Sequence, residues 1–302
     1  MKVRTSTIAR DEIETFVADN SSLFNPVFDL SARGDGDWLT DSIDVEEVSL
    51  NLRQCSNRSA PGPDGISYLT IKHLSNSALT KLTAIYNYCL LYGYFPSRWK
   101  QAYGTMIPKP SNDPKQPSSY RPISLLPALG KLLEQIFVRR LNLHLEGLKF
   151  FNDYQHAYRR GKNGSEILHC LVDEVRSMSS SVHRIAAISL DVEKAFDSVW
   201  HDGLRYELYS IGLSESTLRF LSSFLQNRSI QVRVNGVLSQ PVPLLAGTPQ
   251  GSVLSPLLFN IYVNDLSLER CQGSRGEQFA DDISAWTTAK SNQLRHVCLQ
   301  KA

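Results

Sequence analysis

Apolar positions along this chain recur with two different periods, and the changes of period mark its elements. Leu79, Leu82, Ile85, Tyr86, Cys89 and Leu90 return every three or four residues, which predicts an amphipathic core helix ending at Gly93 and Pro96. Leu132, Leu133, Ile136, Phe137 and Leu141 trace a second helix within 129–145, with its charges mostly on the other face. A third runs from a Ser165 cap through Ile167, Leu168, Leu171, Val172 and Val175. Arg184 to Leu190 is nearly continuous in apolar residues and reads as a buried strand that delivers Asp191 to the end of a sheet. Gln101–Ile107 and Tyr120–Leu126 read as extended and proline-punctuated, and Val192–Val199 as a return to helix. Val232 and Val234 before Asn235-Gly236 give the strongest hairpin signal. Ser255-Pro256 opens a helix that is apolar almost all round to Val263 and therefore buried.

Residues 1–58 are polar and acid-leaning, with a Gly34–Asp37 loop and a short helix within 41–52, and they carry no readable chemistry. A rigid Pro/Gly loop follows at Ser59–Ile66. Hydrophobic residues make up 42% of the 302, enough for a real core in one large or two interleaved domains. No apolar run approaches the roughly 18 residues of a membrane span. The start, Met1–Thr5, lacks the apolar core of a signal peptide. The expectation is an intracellular protein, neither secreted nor membrane-borne. Cys55, Cys89, Cys170, Cys271 and Cys298 are scattered, so zinc and disulfide frameworks are not expected. A net charge of +2 neither demands nor excludes nucleic acid. Arg139-Arg140, Arg159-Arg160 with Lys162, and Arg228 with Arg233 are local basic clusters that could meet backbone phosphates, although solvated surface charge is the better reading of each taken singly.

The chemistry gathers at Phe279-Ala280-Asp281-Asp282. Strand alternation would send the two acids to opposite faces unless a turn holds both at its tip. With Asp191 as a third carboxylate, the set suits hard cations such as Mg²⁺ bound beside substrate phosphates. Lys109 stands between Pro108 and Pro110 on a stiff arm, and Arg121 follows on the next extended segment, so the two would form a phosphate clamp. Ala246–Ser252 is a loop without bulky side chains that would let a flat substrate approach the backbone. Phe196 reads either as core or as the floor of a pocket beside Asp191.

In order, APGPDGI (60–66), IPKP (107–110), YRPISLL (120–126), QHAYRRGKNG (155–164), SLDVEKAFDSV (189–199), GTPQGSVLSPLLFNIYVNDL (247–266) and FADD (279–282) resemble the blocks of the reverse transcriptase domain of non-LTR, LINE-type retrotransposons, nearest to jockey-like elements. The resemblance implies an α+β right-hand polymerase: fingers and a palm, the palm an antiparallel sheet with packed helices. It implies an N-terminal extension over 1–58, fingers over 59–184 and an incomplete palm over 185–302, with the reverse transcriptase domain at about 101–302. It implies that Asp191, Asp281 and Asp282 hold two Mg²⁺ ions, or Mn²⁺ in their place, with a carbonyl from Val192. Lys109 and Arg121 would grip the triphosphate, Phe196 would be the steric gate against a ribose 2′-hydroxyl, and Gln250 and Gly251 would line the nucleotide and template face. The implied partners are an RNA template, a DNA primer and dNTPs.

Two features depart from the pattern. The family reads closer to Gly-Phe-Arg where this chain has His156-Ala157-Tyr158-Arg159, and the approach from Cys271 to Glu277 is short and polar for an edge strand. Twenty residues follow Asp282, so the reading expects the rest of the palm and the thumb to be missing. The competing expectation is a truncated remnant that folds and binds RNA without synthesis. A group II intron maturase or a viral RNA polymerase fits less well, because the APGPDGI loop and the FNIYVNDL helix point to the retrotransposon branch.

Overall fold

Asp44, Ser67, Ser75 and Ser214 each accept a hydrogen bond from the backbone N–H three residues on, and each opens a helix. The computed structural model describes residues 9–25, 38–110, 113, 115–116, 119–177, 184–192, 194–234, 236–266 and 274–289. Met1–Thr5, the Gly34–Asp37 loop, Glu193, Asn235, Cys271 and Cys298 lie outside the described residues. The first four helices are α1 (Arg10–Asp19), α2 (Val45–Gln54), α3 (Tyr68–Lys72) and α4 (Asn76–Leu91). Then come β1 (Gln101–Pro108), β2 (Tyr120–Leu125), α5 (Ala128–Gly147), α6 (Gly164–Ser177), β3 (Arg184–Asp191), α7 (His201–Ser210) and α8 (Glu215–Leu225). The chain continues with β4 (Arg228–Val234), β5 (Val237–Leu238), β6 (Val242–Leu244), α9 (Ser255–Tyr262), β7 (Ser274–Phe279) and β8 (Asp282–Ala289). No helix among the described residues is long and apolar enough to cross a membrane.

The chain divides into two compact units that are interleaved in sequence. One contains Leu145–Ala195 and Pro256–Ala302; the other contains Ile8–His144 and Phe196–Ser255. The division at 58/59 and 184/185 expected from the sequence is functional and consecutive, and grouping by compactness does not address it.

In the first unit an antiparallel sheet runs β3-β8-β7. From Ile185 to Asp191 the residues of β3 are half-buried or exposed, and Leu190 is 38% exposed. Among the described residues Arg184–Asp191 is therefore an outer strand paired through β8 alone, not the buried strand its apolar run suggested. Apolar content fixes the strand but not its place in the sheet. Ile283, Ala285 and Trp286 of β8 are buried instead. Helix α6 is capped by Asn163, whose Oδ1 accepts from Ser165 N–H at 2.9 Å, two residues earlier than the expected Ser165 cap. Its stripe stays open, with Leu168, Val172 and Val175 all exposed.

In the second unit a mixed sheet runs β2-β1-β4-β5, with β6 also on β4. Strands β1 and β2 are antiparallel, and β1 and β4 are parallel. Pro122 sits in the outermost strand, where its missing N–H costs no ladder bond. The β4–β5 hairpin closes at Val234↔Val237 over a left-handed Gly236, as the turn residues predict. Leu132, Leu133, Ile136, Phe137 and Leu141 of α5 are buried as their spacing predicts. Phe137 meets Phe220 at 4.7 Å, and Phe95 meets Phe224 edge-on at 5.3 Å. Ile85 departs from the expected α4 stripe: it is 47% exposed, whereas Leu82, Tyr86, Cys89 and Leu90 are buried.

Candidate functional site

Asp281 occupies the tip of a two-residue turn. Phe279 and Asp282 close the β7–β8 hairpin, and Ala280 at φ +56° precedes Asp281 between them. Positive φ at the first central residue alone is the pattern of a type II′ hairpin turn, where glycine is the usual occupant. An alanine there carries strain of about 1–3 kcal/mol, the kind that persists only when surrounding bonds enforce it. Asp282 begins β8 and is the register partner of Asp191 at the end of β3. Directly opposed residues project from the same face of a sheet, so Asp191, Asp282 and Phe279 share one side. The turn therefore holds one acid at its tip and leaves the other on the strand.

Asp191 and Asp282 are exposed, and Asp281 is half-buried. Three carboxylates and the adjacent Val192 carbonyl are hard oxygen donors, a set whose chemistry fits Mg²⁺. The backbone brings the acids to one end of the sheet but does not gather their side chains about one point. Among the described residues no three His, Cys, Asp or Glu side chains stand close enough to hold a metal ion.

The polar strand β7 has a structural reason. Segment 154–156 lies along its outer edge: Gln278 N–H donates to Tyr154 O at 2.8 Å, and His156 N–H donates to Gln278 O at 2.9 Å. The buried His156 then places Nε2 at 2.6 Å from Glu277 and Nδ1 at 3.1 Å from Glu166 at the start of α6. Gln155 Oε1 accepts from Ala157 N–H at 3.0 Å and Ala280 N–H at 3.4 Å, while Gln278 Nε2 donates to Ala280 O at 2.9 Å. Gly164 abuts the Phe279 ring, where a Cβ would stand 3.5 Å from two ring carbons. Tyr158 is a second non-glycine at positive φ, +56°. Burial and then the nearby Asp281 charge push its phenol up.

The expected substrate residues are described with the second unit. Lys109 follows Pro108 at the end of β1, with its N–H on Ser119 O at 2.7 Å, and Arg121 stands opposite Ile107. Alternation places Lys109 on the same side as Ile107 and Arg121. The structure thus puts the two cations on neighbouring strands.

The small-residue loop packs closely against the chain's own backbone at both of its glycines. A Cβ on Gly247 would stand 2.7 Å from Asp197 O, and one on Gly251 would stand 2.6 Å from Ser124 O. Thr248 N–H donates to Phe196 O at 2.7 Å, and Ser124 N–H donates to Gln250 O at 2.7 Å. Gln250 Nε2 reaches both carboxylate oxygens of Asp197 at 3.2 Å. His201 Nε2–H donates to Gly247 O at 2.8 Å; burial, its largest influence, holds this imidazole below its ordinary value. Phe196 is half-buried in the short 3-10 turn Ala195–Ser198.

The sequence profile described as "Reverse transcriptase (RNA-dependent DNA polymerase)" matches residues 107–301. This chain belongs to the reverse transcriptase family. The RNA-directed DNA polymerase from mobile element jockey of Drosophila melanogaster is 35% identical over 257 residues, covering 83% of this chain and 28% of that protein. A probable RNA-directed DNA polymerase from transposon BS of the same fly is 36% identical over 224 residues, covering 74% of this chain and 25% of that protein. The Pol polyprotein from type-1 retrotransposable element R1 of Bradysia coprophila is 31% identical over 268 residues, covering 87% and 26%. The chain spans about a quarter of the length of these curated relatives.

Within this reverse transcriptase family member, sequence reasoning missed Asp197, the anchor of Gln250, and the Gln155–His156–Tyr158 group beside the Asp281 turn. Asp197 lies six residues after Asp191 and carried a visible signal, an acid on the same motif. Gln155 and Glu277 carried none, because their bonds join segments more than 100 residues apart.

Proposed function

We propose that this chain is the catalytic part of an RNA-directed DNA polymerase that adds deoxynucleotides to a DNA primer 3′-hydroxyl on an RNA template. The observation that carries the reading is the register of Asp191 with Asp282 beside the Asp281 turn, inside the family-matched segment. In this reading the sheet β3-β8-β7 is the palm of a right-hand polymerase, and the β1–β2 hairpin belongs to the fingers. Two Mg²⁺ ions, or Mn²⁺ in their place, supply when bound the activation of the 3′-hydroxyl and the neutralisation of the leaving pyrophosphate.

Asp191, Asp281 and Asp282, with the Val192 carbonyl, hold these cations. The exposure of Asp191 and Asp282 lets their side chains rotate toward Asp281 as cations bind, and the bound charge offsets their mutual repulsion. Lys109 and Arg121 bind the triphosphate, the arginine in a two-point contact and the lysine as a point charge. Phe196 occupies the space a ribose 2′-hydroxyl would need. Gln250 is held by Asp197, so its fixed backbone and that of Gly251 line the nucleotide and template face.

Primer extension on a primed RNA template with Mg²⁺ and dNTPs tests this, using the product of the whole coding frame. Asp281→Asn is expected to abolish extension and leave RNA binding nearly intact. Joint loss of both would make the acid structural, and RNA binding without extension by the unmodified protein would favour the remnant.

A further inference from the structure

Gln155 and the turn that presents Asp281 are joined across 125 residues of sequence. We infer that Gln155 is a positioning residue for Asp281: by accepting the Ala280 N–H it fixes the left-handed backbone from which the acid projects. The inference deepens the metal-site reading above and rests on it.

The orientation of the Gln155 amide follows from its neighbours. Two backbone N–H groups, those of Ala157 and Ala280, point at one end of it, so that end must be the oxygen. The opposite end, Nε2, is buried and has no partner among the described residues. Leaving a buried donor unpaired costs roughly 1–3 kcal/mol, so the amide is held by what its oxygen does. The side chain is only 1% exposed and is not placed to meet a template.

The turn needs such a hold. Ala280 at φ +56° would relax to an ordinary conformation at a gain of about 1–2 kcal/mol, and Asp281 would swing with it. Gln278 Nε2 donates to the Ala280 carbonyl at 2.9 Å while Gln155 accepts the Ala280 N–H, so the two peptide groups flanking the Ala280 Cα are both held.

Gln155 is itself anchored from helix α9. Asn260 Nδ2 donates to Ala157 O at 2.6 Å, and four residues on Asn264 Nδ2 donates to Phe150 O at 2.9 Å. Asn260 lies in α9 and Asn264 in the turn just after it, so the two asparagines of FNIYVND grip both ends of segment 150–157. His156 ties the same segment to Glu277 and Glu166. The path from α9 to Asp281 is thus a continuous set of hydrogen bonds within one unit.

The test is Mn²⁺ uptake by the full chain, read as loss of the free-ion signal in electron paramagnetic resonance. Gln155→Met keeps the length and removes the acceptor; it is expected to weaken Mn²⁺ binding about tenfold, the scale of outer-shell effects on a metal. Adding Ala280→Gly, which adopts positive φ without strain, is expected to restore most of that affinity. Unchanged binding in Gln155→Met overturns the inference, as does a loss that Ala280→Gly fails to restore, since that would reflect loop packing alone. Gln155→Asn, which keeps a buried amide but is one methylene too short to reach Ala280, is read the same way if the methionine variant does not fold. An unmodified chain that takes up no Mn²⁺ fails at the earlier step: it removes the metal-site reading and this inference with it.

Discussion

Asp191 and Asp282 are cross-strand partners, two carboxylates placed opposite each other at the end of β3 and β8. Like charges directly opposed destabilise a sheet by a few tenths to about 1 kcal/mol, so in the metal-free protein the pair works against folding. Asp191→Asn and Asp282→Asn are each expected to raise the thermal midpoint of the metal-free protein while weakening Mn²⁺ uptake. A lowered midpoint in either variant would show that the acid has a structural partner, and the stability–function opposition proposed here would be wrong.

Phe196 gives a prediction on sugar selection. If its ring fills the space of a 2′-hydroxyl, Phe196→Ala should reduce the preference for dNTP over rNTP by about tenfold or more, read as the ratio of kcat/KM values. An unchanged ratio would return Phe196 to the role of a packing residue in the Ala195–Ser198 turn.

The two loop glycines separate close approach from backbone conformation. Gly251→Ala would set a Cβ 2.6 Å from Ser124 O at φ +112°, and Gly247→Ala would set one 2.7 Å from Asp197 O at φ +82°. Each is expected to lower stability in urea by about 1–3 kcal/mol. Gly236→Ala has a similar φ of +82° but open space around it, so it isolates the conformational part and should cost less. Equal losses at all three positions would mean that the contacts to Ser124 and Asp197 give way easily.

Lys100 and Arg228 form a buried pair of cations at the start of the parallel strands β1 and β4. Lys100 is 5% exposed and reaches only Ser223 Oγ, at 3.4 Å, among the hydrogen-bond partners described for it. Arg228 spends Nε on Phe224 O at 2.6 Å and lies over the Phe224 ring at 4.0 Å, while both terminal nitrogens lack partners among the described residues. Burial first, and Arg228 second, bring the Lys100 ammonium down to about 8. Between about 8 and its ordinary value of 10.5 the unfolded chain therefore holds more protons, and stability should rise with pH across that window. Lys100→Met should be more stable than the unmodified chain at pH 7 by about 1–3 kcal/mol and should show a smaller rise. A drop in its urea midpoint at pH 7 would contradict this.

How far the sequence could be read depended on distance along the chain. The Val234–Gly236 hairpin and the buried face of α5 were legible because their signals lie within a few residues. The same reasoning overreached at Ile85, which lies on the α4 stripe yet faces out, and at β3, whose apolar run fits an outer strand as well as a central one. Apolar spacing reports a preference for burial, and only the neighbours decide whether burial occurs.

The sequence by itself determined the chemistry available to this protein: three carboxylates near strand ends, cations on proline-stiffened strands, and glycines where side chains are excluded. Tertiary structure alone decided their relations. It set Asp191 opposite Asp282, kept Asp281 at the tip, filled the glycine loop with Asp197 and Ser124, and brought Gln155 to Ala280. The physical reason is that strand register and buried hydrogen bonds are chosen by packing between segments far apart in the chain, and no local pattern encodes which distant partner will arrive.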